Sequence, residues 1–372
     1  MTSANPGLEG VIAASTRLSS VDGERGELIV AGYRIEDLAP AISFEEMVFL
    51  LWRGFLPSDA ERSAFAREMA DRRAIPSAVK EIVIGGARSG ASAMSVLRTA
   101  VSALSFDGPR RDDLGLLAAF PTIVATWTRV RAGERVVDPN PSLGHADDFL
   151  RMISDRPTSA ARARALETYL NTTADHGLNA STFVARSIIS TQSEMAAAIT
   201  GAIGALQGPL HGGAPGPVLD LITGAGEATD LRGFLRGKVE GGERLMGFGH
   251  RIYRVRDPRA EVLAQACLNL RASGESAPLF DIAQEVERVA LSVLQEHKPD
   301  RALRTNVEFY TALLLHAVGI PKEAFAAIFS TSRVAGWIAH AHEQLATKKL
   351  VRPQSNYVGP RVGEAGPLRR TA

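Results

Sequence analysis

The sequence predicts a mostly α-helical protein with a short β segment near its N-terminal end. Two observations predict this. Only residues 8–35 alternate apolar groups with Gly, Ser and Asp, as in Gly26-Glu-Leu-Ile-Val-Ala-Gly-Tyr33, which reads as one or two short strands. Almost everything afterwards has helical period, with helix-opening side chains ahead of the apolar runs.

The helices follow in order. Ser43 and Glu46 form a capping box before Met47, Val48, Leu50 and Leu51. Ser58 and Glu61 repeat the device before Phe65 and Met69, and Pro76 is expected to stop that helix. Met94, Leu97, Val101 and Leu104 mark a further helix, as do Leu166, Tyr169, Leu170 and Thr173. Thr191 and Glu194 read as the cap of a helix carrying Ile199, Ala202, Ile203 and Leu206 on one face. Its Ala197, Gly201 and Ala205 are small enough to admit a close neighbour, and Gly208-Pro209 ends it. No repeat of solenoid period is present.

Breakers concentrate at 207–217 and again at Gly319-Ile-Pro321. Two such punctuations suggest a second domain inserted into the first, with two hinge strands. The Gly-, Pro- and Arg-rich tail after Arg361 is expected to be mobile.

Composition narrows the function classes. The 372 residues contain 42 Lys plus Arg against 41 Asp plus Glu, a formal charge of +1, which argues against nucleic acid as a partner. The lone Cys267 excludes an internal disulfide framework and multi-thiolate metal sites, and points to a reducing compartment, hence the cytoplasm. No signal-peptide pattern opens the chain. The apolar stretches at Leu114–Trp127 and Phe309–Ile320 fall short of the roughly 18 residues that a membrane span needs, so no membrane is expected as a partner.

Few short motifs carry chemistry. His340-Ala-His342-Glu343 suggests a metal at first sight, but helical residues two apart point away from each other. Three other histidines sit at breaks: His176 in Asp-His-Gly-Leu-Asn, His211 in Gly-Pro-Leu-His-Gly-Gly, and His250 in Gly-Phe-Gly-His-Arg. Singly each reads as a loop fastener; together they point to a small ligand among rigidly held loops. Asp257 and Pro258 look like an N-cap and first helical residue, which places Arg259 where the helix dipole disfavours a cation unless an anion binds there. Arg333, within Ser330-Thr-Ser-Arg-Val-Ala-Gly-Trp337, is buried only if something pairs with it, and Arg352 stands in an extended segment that reads equally as plain surface. Glu308 has two readings. Thr305-Asn-Val-Glu308 matches a capping box opening a helix from Phe309 to Val318, and the same carboxylate could serve as a base.

Read together, His176-Gly-Leu-Asn-Ala-Ser-Thr, Gly208-Pro-Leu-His-Gly-Gly-Ala, Gly247-Phe-Gly-His-Arg-Ile-Tyr-Arg-Val-Arg-Asp-Pro-Arg259, Asn306-Val-Glu-Phe-Tyr and Arg352-Pro-Gln-Ser-Asn-Tyr-Val-Gly-Pro resemble citrate synthase, in the family's order and spacing. The resemblance runs from Gly7 to about Pro360 and is to the shorter bacterial and archaeal form, which includes 2-methylcitrate synthases. It implies a two-domain helical fold, with a large domain at 1–212 and 320–372 and a small domain at 213–319 that closes over the substrates. It also implies a homodimer. By motif, His176, Arg259 and Arg333 would bind oxaloacetate together with His250, and Arg352 would reach in from the other subunit. His211, His250 and Glu308 would be catalytic, and Arg254 would approach the CoA phosphates. The acyl-CoA is a substrate, and no cofactor or metal is implied. Glu308 would take the methyl proton while His211 stabilises the thioester oxygen and His250 donates to the ketone of oxaloacetate.

Three departures stand out. The family base is usually aspartate rather than Glu308, Ala214-Pro215 replaces the usual Ala-Asn, and Ser92-Ala-Met94 replaces the common His-Pro-Met. They leave open a synthase of a divergent branch, and a relative that binds oxaloacetate or CoA without condensing them; a synthase using propionyl-CoA stays open separately, because a hydrophobic pocket discriminates one methylene by only about 1–3 kcal/mol.

Overall fold

The computed structural model describes residues 7–8, 10–104, 112–212, 215–250, 252–275, 279–299, 301 and 303–362; the 213 and 214 positions, Arg251 and the tail from 363 lie outside the described residues, as does the side chain of Pro215. The N-terminal segment folds as three short antiparallel strands in the order β1 (Ser19–Asp22), β2 (Glu27–Val30) and β3 (Tyr33–Arg34). Ser19 pairs with Val30 and Asp22 with Glu27. Alternate residues Leu28 and Val30 of β2 are buried, as period-two patterning requires.

Helices follow: α1 (Ile35–Leu38), α2 (Phe44–Arg53), α3 (Asp59–Asp71), α4 (Ser77–Arg88), α5 (Ala93–Ala103), α6 (Asp113–Arg131), α7 (His145–Ser154), α8 (Ala160–Thr173), α9 (Ala180–Ile189) and α10 (Met195–Leu206). Then come α11 (Pro215–Glu227), α12 (Leu231–Glu240), α13 (Pro258–Ala272), α14 (Phe280–His297), α15 (Val307–Ala317), a 3-10 turn at Lys322–Ala324 and α16 (Phe325–Thr347). The mostly helical expectation is borne out. Both expected capping boxes form: Ser43 and Ser58 accept from the Glu46 and Glu61 amides, and each glutamate accepts from its serine's amide.

Two helix boundaries differ from expectation. The Ser58 helix ends at Asp71, and Pro76 instead is the N-cap residue of α4, where its fixed φ suits a helix start. Thr191 does not cap α10. Its hydroxyl donates to the Ile188 carbonyl of the preceding helix, and Glu194 is the N-cap residue without a side-chain bond.

Helix α16 is the axis of the larger cluster. It packs against α2, α5, α6, α8, α9 and α10, with Trp337 fully buried at its middle. The small residues of α10 do what their spacing suggested: a Cβ on Gly201 would stand 2.2 Å from Ile188 Cδ1, so α9 and α10 approach closely only because that atom is absent. Helices α11, α12, α14 and α15 pack chiefly on one another, while α13 joins α15 to α8. Among the described residues no helix is long and apolar enough to cross a membrane.

Candidate active site

The chain brings the two glycine-flanked stretches together by backbone pairing. Gly247 and Gly249 adopt positive φ (89° and 82°), which glycine allows at no steric cost. Between them Phe248 forms a β-bridge with Thr305. The Gly249 amide donates to the Arg304 carbonyl (2.7 Å), the Asn306 amide to the Gly247 carbonyl (3.0 Å), and the Asn306 side chain to the Gly249 carbonyl (2.8 Å). His250 is thereby laced to the start of α15, one turn from Glu308.

The same lacing bears on the capping reading of Glu308. Asn306, not Thr305, caps α15, its Oδ1 accepting from the Glu308 amide at 3.0 Å. The Thr305 hydroxyl is buried without a partner, because its residue belongs to the bridge. Among the described residues the Glu308 carboxylate accepts no hydrogen bond, so the expected capping box is not formed. Burial raises its pKa to about 7, against the opposing pull of Arg259 and Arg244 and with a smaller push from Asp257. A half-ionised carboxyl near neutrality is suited to take up a proton and return it.

Asp257 is the N-cap residue of α13, as expected, with Pro258 in the first turn. Its carboxylate does more than cap. It accepts from the Arg259 amide (3.0 Å), from Arg259 Nε (3.0 Å) and Nη2 (2.8 Å), and from the Val307 amide at the head of α15 (3.3 Å). Burial works against the Arg259 charge, but Asp257 reverses it and leaves the pKa above its ordinary value. Arg259 is therefore a fixed cation, oriented by a carboxylate that also ties α13 to α15.

Arg259 points its Nη2 to within 3.4 Å of His250 Nε2. The other ring nitrogen of His250 accepts two backbone N–H groups, from Ile252 (3.0 Å) and Tyr253 (3.1 Å). Burial and Arg259 lower its pKa to about 4, so the ring is neutral at pH 7 and its single proton sits on Nε2. Two donors thus face each other, an arrangement that an anionic or carbonyl oxygen would satisfy.

His176 is buried beside them, its ring centroid 6.0 Å from that of His250 and its Nε2 3.1 Å from the Tyr253 hydroxyl. Its pKa is held well below the ordinary value by burial, then by Arg259 and Arg333. His211 sits at the end of the α10 turn, where its Nε2 accepts from the Ser181 amide (3.2 Å) and lies 2.8 Å from the Ser181 hydroxyl. Burial, with Arg333 adding to it, lowers the His211 pKa to about 4.

Arg333, on α16, is buried and gives its Nε to the Thr173 carbonyl at 2.7 Å. Its guanidinium lies 4.7 Å above the Phe329 ring. Burial lowers its pKa to about 10, with Asp175 opposing and Arg259 reinforcing the fall, and it remains charged at neutral pH. Asp175 accepts from the Ser19 hydroxyl of β1 and the Gly177 amide (3.2 Å). His340 Nε2 stands 3.2 Å from its Oδ1. A Cβ on Gly336 would come 2.5 Å from both the Ala174 carbonyl and Asp175 Oδ1, so α16 reaches the His176 loop only through that glycine.

Of the sequence-derived candidates, geometry and mutual electrostatics bring together His176, His250, Arg259, Glu308 and Arg333, with His211 within the field of Arg333. Arg254 and Arg352 are exposed, Arg352 in a stretch at 349–358 that is neither helix nor strand. His340 and His342 diverge as expected, His340 to Asp175 and Arg186 and His342 to Asp113 at 2.7 Å. Among the described residues no group of His, Cys, Asp and Glu could hold a metal ion. Asp175, Ser181 and Tyr253 were not foreseen; their partners lie far along the chain, and no local spacing marks them. A cavity of about 570 Å³ lies elsewhere, between Arg17 and the end of α16 at His342 and Glu343, and none of the candidate residues lines it.

Residues 7–354 match the family model described as citrate synthase, C-terminal domain. The chain is 37% identical over 369 residues to a citrate synthase of Haloferax volcanii, covering 95% of each. It is also 37% identical to a 2-methylcitrate synthase of Mycobacterium tuberculosis, covering 95% of this chain and 90% of that one. Among solved structures, a citrate synthase of Thermoplasma acidophilum in ternary complex with carboxymethyl coenzyme A and oxaloacetate superposes with a TM-score of 0.83 at 28% identity, covering 97% of this chain and 98% of that one.

Proposed function

The chain belongs to the citrate synthase family and is an acyltransferase, and on that premise we propose that it condenses acetyl-CoA with oxaloacetate through Glu308, His211 and His250. The observation that carries the site assignment is the pair of donors, His250 Nε2–H and Arg259, facing one another beside an unbonded carboxyl of pKa about 7. Oxaloacetate offers two carboxylates and a ketone. Arg259 and Arg333 take the carboxylates, for which guanidinium forks suit better than ammonium groups. His176 adds a neutral donor, and His250 donates to the ketone oxygen, where charge develops as the new carbon–carbon bond forms.

Glu308 removes a proton from the methyl carbon of the thioester. His211 keeps one ring nitrogen as acceptor to the Ser181 amide and directs the proton on the other, Nδ1, at the thioester oxygen. The enol attacks the ketone carbon to give citryl-CoA, which water cleaves to citrate and CoA. We take residues 213–319 as a small domain whose closure keeps water away until condensation is finished. Arg254 approaches the CoA phosphates from its exposed position, and Arg352 enters the site of the other subunit of a homodimer. Its exposure supports this reading.

Relatives named for either acyl donor are equally similar to this chain, so the donor is decided by assay. Purified protein is incubated with oxaloacetate and either acetyl-CoA or propionyl-CoA, and citrate and 2-methylcitrate are quantified by mass spectrometry. Citrate in excess supports the reading, and 2-methylcitrate in excess replaces it with the propionyl-CoA enzyme. No product from either donor, with oxaloacetate binding intact, overturns the catalytic reading and leaves a ligand-binding relative.

A further inference from the structure

The β1–β2 hairpin touches the loops of both His176 and His250. At the start of β1 the Ser19 hydroxyl donates to Asp175 Oδ2 and accepts from the Gly177 amide (2.8 Å), so it grips the residues on either side of His176. The same segment receives Arg333 Nε at the Thr173 carbonyl. Just past the end of β1 the Gly23 carbonyl accepts from the Arg254 amide at 2.8 Å. Gly23 also packs on the Ile252 carbonyl: a Cβ there would stand 2.2 Å from its oxygen and 2.8 Å from its carbon. That carbonyl belongs to the peptide whose N–H, from Tyr253, donates to His250 Nδ1, and the Ile252 N–H donates to the same nitrogen. Gly23 therefore backs the peptide that orients the His250 ring.

From this geometry we propose that the β1–β2 hairpin is a positioning element of the oxaloacetate site, Ser19 fixing the His176 loop and Gly23 the His250 loop, so that one strand sets the separation between them. The proposal rests on the reading of this cluster as an oxaloacetate site. A paired strand is a stiff ruler: at about 3.4 Å per residue, Ser19 to Gly23 spans about 14 Å. β1 is paired with β2 at all its positions, and the burial of Leu28 and Val30 fixes the register, since a one-residue slip would turn both to solvent. The turn is held too, Asp22 Oδ1 accepting from the Glu24 (3.0 Å) and Arg25 (2.9 Å) amides. Ser19 and Gly23 are themselves only partly buried, so their partners are the site loops and not the core. The His250 ring they help to place stands with its Nε2 3.4 Å from Arg259 Nη2, a separation that any tilt of the 252–254 backbone changes.

The test compares Gly23→Ala, Ser19→Ala and Ser19→Thr with the unsubstituted chain. Oxaloacetate affinity is measured by calorimetry, steady-state constants for both substrates and melting temperatures are determined, and the His250 ring nitrogens are assigned by ¹⁵N NMR of histidine-labelled protein. Gly23 does not have positive φ, so the added methyl acts through its collision with Ile252 and not through strain at position 23. The expected result for Gly23→Ala is kcat/KM for oxaloacetate lowered about ten- to hundredfold, the scale of an ångström misplacement, together with loss of the single His250 tautomer. Ser19→Ala weakens oxaloacetate binding about five- to tenfold, the factor one hydrogen bond supplies, and KM for oxaloacetate rises in step. Ser19→Thr keeps the hydroxyl, suits a strand and binds within about twofold of the parent. In both Ser19 variants KM for the acyl-CoA changes by less than about twofold. A lowered melting temperature with unchanged oxaloacetate affinity, in either folded Gly23→Ala or Ser19→Ala, marks a purely structural hairpin and overturns the proposal. So does Ser19→Thr behaving as Ser19→Ala, because the hydroxyl is then not the cause. If Gly23→Ala does not fold, the Ser19 pair decides. If the unsubstituted protein binds no oxaloacetate, the functional reading fails and the proposal with it, whereas intact binding with insensitive variants overturns the role of the hairpin alone.

Discussion

Glu308→Gln separates the two roles that the sequence allowed this residue, because they predict opposite signs of stability change. In the folded chain burial lifts the Glu308 pKa from its ordinary 4.5 to about 7. Its proton is thus held more tightly folded than unfolded. The side chain's contribution is fully favourable below pH 4.5 and is lost as pH rises through 7. At about 1.36 kcal/mol per unit, integration gives a cost of about 3 kcal/mol at pH 8 and about 1 kcal/mol at pH 5. Glutamine stays neutral and nearly the same size, so the variant should be more stable than the parent by up to about 3 kcal/mol at pH 8, with the gain shrinking towards pH 5. Its kcat should fall by about 10²–10⁴, the usual worth of a positioned base, with oxaloacetate binding retained. Urea unfolding at the two pH values, calorimetric binding and product-detected turnover measure all three. A capping glutamate would behave otherwise, losing about 0.5–2 kcal/mol on substitution at either pH. A less stable variant at pH 8, or one that keeps its rate, refutes the assignment.

Three other perturbations test the surrounding arrangement. The profile of kcat/KM for oxaloacetate should carry an acidic limb near pH 7 from Glu308 alone, falling about tenfold per unit below it, because His211 and His250 at about 4 do not titrate in that range; a flat profile from pH 5.5 to 8 would contradict this. Gly336→Ala puts a Cβ 2.5 Å from the Ala174 carbonyl and Asp175 Oδ1. It should cost about 1–3 kcal/mol in thermal stability and raise KM for oxaloacetate by displacing the His176 loop from α16, and an unperturbed variant would mean that α16 yields freely there. Mixing Glu308→Gln with Arg352→Ala protomers should restore about a quarter of the parent rate by random assortment if Arg352 acts across a two-fold interface. No restoration would place Arg352 in its own subunit's site or in none.

The legible parts of this protein were those written in local sequence. Ser43/Glu46, Ser58/Glu61 and Asp257-Pro258 announce helix starts because capping partners lie within three residues of each other. The same local rule misled at Thr191 and Thr305, where a tertiary or neighbouring-helix partner won the competition: Thr191 bonds back to Ile188, and Thr305 is committed to its bridge with Phe248. The histidines stood out because glycines flanked them. Tyr253 did not, since its partner His176 is 77 residues away. Asp257 was readable as a cap but not as the anchor of Arg259 and of α15, which needs Val307 brought to it in space.

The charge state of the cluster explains why it uses histidines as it does. Arg259 and Arg333 already place two buried cations within each other's field, and among the described residues only Arg259 has a carboxylate bonded to it. An imidazolium would add a third charge: burial first, then Arg259 and Arg333 at His176, Arg333 at His211 and Arg259 at His250, lowers the pKa of each ring. Neutral rings still donate, provided the tautomer is fixed, and a fixed N–H strengthens its bond only as the opposing oxygen gains charge. An imidazolium would bind the ground-state carboxylates as strongly as the transition state, which lowers KM without raising kcat. On the proposed reading the arginines hold the substrate's standing charge and the histidines answer the charge that develops during reaction. That division of labour requires donors on the far side of the catalytic rings, and the amides of Ser181, Ile252 and Tyr253 are where the fold supplies them to His211 and His250.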